Sequence, residues 1–290
     1  TINAMAMSLR GDLIDPVGGA MDARLCQLRM VTPGCFSADP VRLIRAVRLS
    51  AQFGMFITDE TRSRIVAEAP AIATTSAERV RAELVALLAL TRASEGLRLL
   101  VSLGVFQHIV PELVTPTPSG PAFDATSLAV IEVLAALDAH LANNGHEGPV
   151  AAAPLISAIG ALSKGTREGL RADLGRDVGA EMTRFVLIRW AALFARRGIS
   201  RPDNGEGLSS PIRHRMTELR FSNNATEYAV GLIRSQETFA RVVAAATLSE
   251  TGSVADAAAR RVIHWFFKEA REAGIGAVIL ALARASVIDH

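Results

Sequence analysis

The sequence predicts a mainly α-helical protein whose only β signal lies within residues 1–31. Three observations carry that expectation. Half of the 290 residues are apolar but only 5% are aromatic, and the apolar weight falls on Ala, Leu, Val and Ile, a composition that favours helices over an all-β sandwich. From Ala38 onward apolar residues recur at helical spacing. Ahead of Ala38, short apolar runs alternate with glycine-containing turns, the pattern of a hairpin. A charged fraction of 21% beside this much apolar content excludes a disordered chain. The longest uninterrupted apolar run, Ala273–Ala283, falls short of the roughly 20 residues needed to cross a bilayer. A soluble, cytoplasmic protein is expected, with Cys26 and Cys35 as reduced thiols rather than a disulfide framework or a four-cysteine zinc site.

Taken in chain order, Ile2–Ser8 reads as a strand, Arg10-Gly11-Asp12 as a turn, and Leu13–Pro16 as a second strand entering a Gly18-Gly19 turn. A lone hairpin is marginal in water, so these strands point to a sheet whose other members precede Thr1. The chain therefore reads as a fragment. Val41, Ile44, Val47, Leu49, Ala51 and Phe53 form the apolar stripe of a first helix closed by Gly54. Thr58 or Asp59 can cap a second helix reaching about Ala69, before Pro70. Ser76 can cap a third through Leu84, Leu87 and Leu88, and a fourth covers Ser94–Leu103 before Gly104. The run Thr115–Pro121, rich in Pro, Ser and Gly, reads as a linker or exposed loop. Helices then follow at 124–142, 151–163, 166–174 and 180–197. After a loop at 198–211 they resume at 211–219, 224–247, 253–273 and 274–287. The expected organisation is a small β head element over 1–34, a helical neck over 35–114 and a helical body over 115–290.

A net charge of +2 implies no nucleic-acid partner by itself. The basic residues are nonetheless lopsided: Lys164 and Lys268 are the only lysines among 31 basic residues, leaving 29 arginines. Genome composition can produce that bias, and arginine's fixed donor fork also suits phosphates and base edges. Asp39 and Pro40 fit the start of the first helix, where a carboxylate and a proline are both favoured. Arg42, Arg45 and Arg48 recur every three residues and share one slowly rotating face, and Asp39 and Arg42 can touch. A carboxylate beside a guanidinium offers an acceptor and a donor fork that can read a nucleobase edge, while further arginines can hold phosphate oxygens. The same spacing is also that of a solvated basic face with local ion pairs.

Three ordered motifs resemble a known family. Thr1-Ile2-Asn3-Ala4-Met5-Ala6, then Asp15-Pro16-x-Gly18-Gly19-x-x-Asp22, then Asp39-Pro40-x-Arg42-x-x-Arg45-Ala46-x-Arg48 are similar to class II tRNA nucleotidyltransferases (CCA-adding enzymes) and bacterial poly(A) polymerases. Ala51-x-Phe53-Gly54, Ser76-Ala77-Glu78-Arg79-Val80 and Gly104-Val105-Phe106-x-x-x-Val110-Pro111-Glu112-Leu113 continue the resemblance to residue 113. It implies that Asp39 and Arg42 read the base of incoming CTP or ATP and that Arg45 and Arg48 contact the nucleotide at its phosphates. Asn3 would end a motif that handles ribose and triphosphate, and Asp15, Gly18 and Gly19 would shape the hinge between head and neck. The family places Glu immediately before the template Asp, where this chain has Ala38. The Gly-rich nucleotide loop and the Mg²⁺-binding carboxylates of the family head would precede Thr1, so this chain would contribute base selection and RNA binding and be inactive alone.

The C-terminal half resembles an HD phosphohydrolase-like helical body without its metal. Thr126 stands where such a domain has His, and Ala195-Arg196 where it has His-Asp; an arginine there would repel a divalent ion. The six histidines show no metal-ligand spacing, and Ser127 and Ser222 have no recognisable nucleophile setting. Trp190, Phe194, Trp265, Phe266 and Phe267 read as core more readily than as base-stacking platforms. The function expected is that of part of an RNA nucleotidyltransferase acting on RNA 3′ ends with CTP or ATP. Two other readings stand beside it: a non-catalytic RNA- or nucleotide-binding helical protein, and an HD-type metal-dependent phosphohydrolase, which the missing ligands disfavour.

Overall fold

The computed structural model describes residues 4–118, 120–142, 149–179, 182–195, 210–247 and 253–288. They form two compact units, Thr1–Asp124 and Ala125–His290.

The first unit opens with strands β1 (Ala6–Met7) and β2 (Leu13–Ile14), antiparallel with Ala6 opposite Ile14 and Met7 opposite Leu13. Ser8 N–H donates to Asp12 O at 2.9 Å and Gly11 takes φ +89°, so the turn sits where the glycine was expected to place it. The Gly18-Gly19 pair does more than turn. Gly18, at φ +77°, swings the chain into helix α1 (Gly19–Arg24), and the Asp15 carboxylate accepts from Gly19 N–H at 2.7 Å and Ala20 N–H at 2.9 Å. Those bonds satisfy orphan donors of the first turn and hold the Asp15 carboxyl below its ordinary range. Strand β3 (Gln27–Leu28) pairs in parallel with β4 (Phe56–Ile57). Two-residue strands are too short to show alternation, so neither left a signal in the sequence.

Between β3 and β4 lie α2 (Cys35–Ala38) and α3 (Arg42–Phe53). Asp39 is extended, at φ −153° and ψ +91°, and Arg42 N–H donates to its carbonyl at 3.1 Å. Asp39-Pro40-Val41 is thus a tight turn ahead of the helix, which begins two residues later than the proline suggested. α3 buries Leu43, Ile44, Val47, Leu49 and Ala51, and Phe53 stays 55% exposed. The apolar stripe is rotated toward Leu43 because α3 is covered by α5 (Ala77–Leu88) and α6 (Ala93–Ser102). At their crossing a Cβ on Gly96 would lie 2.5 Å from Leu87 Cδ1 and 3.3 Å from Ala51 Cβ, so the helices meet where a side chain is missing. Helix α4 (Asp59–Glu68) starts behind Thr58, as expected.

Thr115–Pro121 was expected as a linker or loop. Instead β5 (Val114–Thr117) and β6 (Gly120–Phe123) form an antiparallel hairpin. Pro116 lies opposite Pro121, and in a two-stranded ribbon a missing N–H can face away from the partner at no cost. Phe123 anchors the hairpin edge-on to Phe106, with centroids 5.6 Å apart.

In the second unit, α7 (Ala125–Leu141), α8 (Ala153–Gly160), α9 (Lys164–Leu174), α10 (Arg184–Phe194), α11 (Ser210–Glu218), α12 (Asn223–Thr247), α13 (Ser253–Ala270) and α14 (Gly274–Ile288) match the expected order of helices. The expected loop at 198–211 falls almost wholly outside the described residues. α10 is buried along its whole length among α7, α12 and α14. Trp190 at its centre contacts Phe194 at 5.7 Å and Phe221 at 5.3 Å. Two arginines are buried with it and both are paired. Arg184 bonds Asp173 at 2.5 Å and Glu272 at 2.6 Å, while Arg189 bonds Asp138 at 2.8 Å and burial pushes its guanidinium down to about 10. Of the aromatic run 265–267 only Phe266 enters the core. Trp265 and Phe267 are exposed, and Lys268 Nζ sits 4.5 Å from the Trp265 ring centre.

Ile44 is fully buried, so Ile44→Ala should cost about 2–5 kcal/mol of unfolding free energy, whereas Phe53→Ala should stay within about 0.5 kcal/mol. Urea denaturation of the two variants checks this, and equal losses would contradict the observed phase of α3.

Candidate functional site

The start of α3 gathers charge from two helices. Asp39 ends the extended step before α3, and Arg42 follows one turn on, its Nε 3.7 Å from Asp39 Oδ2. Arg79, in the first turn of α5, donates to the same oxygen at 2.9 Å. The hydrogen bond from Arg79 is the main reason the Asp39 carboxyl lies below its ordinary 3.8. The charges of Arg79 and Arg42 and the Val41 N–H add to the effect, and burial opposes it. Asp39 Oδ1 is buried and accepts no hydrogen bond among the described residues. Arg42 is further fixed by its donation from Nη1 to Cys35 O at 3.1 Å.

Arg45 and Arg48 are held from across the helix pair. Glu83 of α5, itself buried, accepts from Arg45 Nε at 2.8 Å and from Arg48 Nε at 2.7 Å, one carboxylate oxygen for each. Arg48 also donates to Gln52 Oε1 at 2.8 Å. Sequence reasoning missed Glu83 altogether and quoted Arg79 only as part of a motif. A signal was present, because Glu83 sits inside the stripe Val80, Leu84, Leu87, where an acidic residue requires a cationic partner.

A cleft of about 450 Å³ opens beside this cluster, between α3 and the segment from Leu28 to Phe36. Leu28, Met30, Phe36 and Leu49 give it an apolar wall, and Arg42 and Arg45 give it a cationic one. Such a surface can lie against the flat face of an aromatic ring system while arginine forks meet an anion at its edge.

The remaining expected site residues lie elsewhere. Asp15, Gly18 and Gly19 build the cap of α1 described above, and no hydrogen bond or ion pair among the described residues joins them to Asp39 or Arg42. Arg29 connects the two regions: it donates to Val17 O at 2.8 Å, pairs with buried Asp22 at 3.1 Å and lines the cleft. Asn3 lies outside the described residues. In the second unit Thr126 is exposed near the start of α7, Ala195 caps the end of α10, and Arg196 lies outside the described residues.

Mg²⁺ does not fit these side chains. Asp39 is bound by two guanidinium groups and Glu83 by two more, so a cation approaching either carboxylate meets positive charge first. Among the described residues no group of three or more His, Cys, Asp or Glu is placed to hold a metal.

Residues 54–115 match the family described as the probable RNA and SrmB-binding site of polymerase A. The chain is 40% identical over 111 residues to a CCA-adding enzyme of Geobacillus kaustophilus, covering 38% of this chain and 28% of that protein. It is 43% identical over 94 residues to a CC-adding tRNA nucleotidyltransferase of Geobacter sulfurreducens, covering 32% of this chain and 22% of that protein. Among solved structures, the Thermotoga maritima CCA-adding enzyme complexed with tRNA aligns over 100% of this chain and 57% of its own, with a TM-score of 0.59 and 16% identity, a likeness of fold. The matched stretch thus spans less than a third of these two curated relatives.

Two outcomes test the cluster. Glu83→Ala strands two guanidinium groups, one of them mostly buried, and should cost about 1–3 kcal/mol in urea denaturation. Asp39 has a depressed carboxyl in the folded chain, so its contribution is complete above about pH 4 and is lost as pH falls through the folded value. The difference in thermal midpoint between the parent chain and Asp39→Asn should therefore narrow as pH drops below about 4; a gap constant from neutral to strongly acidic pH would contradict the pairing with Arg79.

Proposed function

We propose that this protein of the class II CCA-adding enzyme and bacterial poly(A) polymerase family selects the base of an incoming CTP or ATP and holds RNA while nucleotides are added to its 3′ end. One observation carries the reading: Asp39 offers a buried acceptor oxygen with no partner among the described residues, and Arg42 offers a donor fork beside it at the edge of a cleft of about 450 Å³. An acceptor and a fork side by side can pair with the Watson–Crick edge of one base and leave a mismatched edge unsatisfied. The apolar wall of Phe36, Met30 and Leu49 then takes the face of the base.

In this reading Arg45, on the cleft wall, meets the phosphates, and Arg48 works through Glu83 to keep Arg45 in place. Asp15, Gly18 and Gly19 serve as the hinge at which residues 1–34, derived from the head, meet the neck of residues 35–114, and Asn3 belongs to the nucleotide-handling motif. The neck and the body, residues 115–290, together hold RNA. The Mg²⁺-dependent transfer step is assigned to the family's head, and the role of these residues is to bind and discriminate without catalysing. The family description for residues 54–115 and the CCA- and CC-adding relatives support RNA as the partner and favour C and A addition to tRNA over poly(A) synthesis. The cytoplasm, where tRNA matures in bacteria, is the compartment that fits.

Asp39→Ala and Arg42→Ala should each reduce the preference for CTP and ATP over UTP and GTP by about 10–100-fold, the worth of one bidentate base contact, while RNA affinity changes by less than about 3-fold. Equilibrium dialysis of the four nucleotides against the chain measures this, and an unaltered preference in both variants would remove the template assignment.

A further inference from the structure

We propose that a second cleft of the first unit grips a single-stranded segment of RNA, using Phe56 to stack a base and Arg62 and Arg98 to meet phosphates. The inference rests on the RNA-holding function proposed above and assigns it to specific side chains. The cleft, of about 500 Å³, is framed by the end of α3, β4, α4 and α6. None of the residues lining it also lines the Arg42 cleft, so the two can be altered independently.

Its charge is one-sided. Arg62, Arg92 and Arg98 line it with a single acid, Glu95. Glu95 is already engaged, accepting from Arg92 Nε at 2.9 Å and Nη2 at 2.5 Å, so Arg92 is a fixed and neutralised wall. Arg92 lies across Gly54, where φ is +65° and a Cβ would fall 2.8 Å from its Nη1. Only glycine lets the guanidinium settle there. Arg62 and Arg98 are both exposed on its lining, and Arg98 Nη1 reaches Ser94 Oγ at 3.5 Å.

The aromatic component is equally specific. In β4, Ile57 is buried and Phe56 is turned outward into the cleft, 54% exposed. Phe53, 55% exposed, closes the preceding helix three residues away. Exposed phenylalanine and arginine lining one groove is the pattern by which proteins hold unpaired nucleotides: the ring accepts any base and the guanidinium groups track the backbone. A helical duplex keeps its bases stacked and could not use Phe56, so the ligand is single-stranded. An apolar protein partner would not use the two exposed arginines.

The test is fluorescence anisotropy of the whole chain with a labelled single-stranded oligoribonucleotide about 12 nucleotides long, run beside CTP dialysis. Arg62→Ala/Arg98→Ala should weaken RNA binding at least about 10-fold at low salt and lower the slope of log affinity against log salt by about 1.4, the value for two phosphate contacts to a single strand. Phe56→Ala should weaken binding by about 5–100-fold with the salt slope unchanged. Neither should alter CTP affinity, and circular dichroism melts should coincide with the parent's because all three side chains are exposed. RNA affinity and salt slope that stay at parent values in both variants would overturn the inference and leave the cleft to a protein partner. Failure of the parent chain to bind RNA at all would overturn the RNA-holding function as well, whereas nucleotide preference in the Asp39 and Arg42 variants tests base selection alone.

Discussion

One buried carboxylate sets the geometry on which the charged face of this protein depends. Glu83 receives Arg45 on one oxygen and Arg48 on the other, and each bond spans the contact between α5 and α3. A lone ionised glutamate among Val80, Leu84 and Leu87 would be strongly unfavourable, and two guanidinium groups make it tolerable. The exchange is mutual. Arginine side chains carry much rotamer freedom, and without Glu83 the face of α3 would be a set of swinging cations instead of an ordered surface. With Arg45 held by Glu83 and Arg42 by Cys35 O, α3 presents an ordered cationic wall to the cleft, and Arg79 holds Asp39 from the same helix that provides Glu83.

Much of the fold was legible because its signals are periodic or stereochemical. The order of helices follows from apolar spacing, and Gly11, Gly54 and Gly104 mark chain reversals with the positive φ that glycine tolerates. What escaped was short or tertiary. β3 and β4 have two residues each and no alternation to detect. The Pro-rich run 115–121 reads locally as a loop, and tertiary packing such as that of Phe123 on Phe106 holds it as a hairpin. The phase of α3 was displaced because its periodicity cannot say which of Leu43 and Phe53 will be covered; the positions of α5 and α6 decide that.

The site was legible to a similar depth. The spacing of Asp39, Arg42, Arg45 and Arg48 placed them on one surface, and the structure keeps them there, but spacing could not reveal that their partners come from α5. Glu83 and Arg79 lie 35 or more residues away in sequence, a distance at which local pattern carries no pairing information. The second unit shows the same limit in another form. Arg184 and Arg189 sit on a helix with no polar face, and their acidic partners Asp173, Glu272 and Asp138 come from three other segments. Reading such a helix alone would suggest exposed cations, whereas the assembled unit makes them internal struts.

The parallel pairing of β3 with β4 gives the stretch between them an unusual property. Phe56 N–H donates to Cys26 O at 2.9 Å and Thr58 N–H to Leu28 O at 3.2 Å, so the segment carrying α2, Asp39 and α3 is clamped at both ends like a belt of set length. Each α-helical residue advances the side-chain direction by about 100°. One residue inserted or deleted within α3 would turn Arg42 away from the cleft or carry Arg48 off Glu83, and the clamp prevents the chain from sliding to compensate. Substitution is open at the exposed positions of this segment, but the number of residues between the two strands is locked.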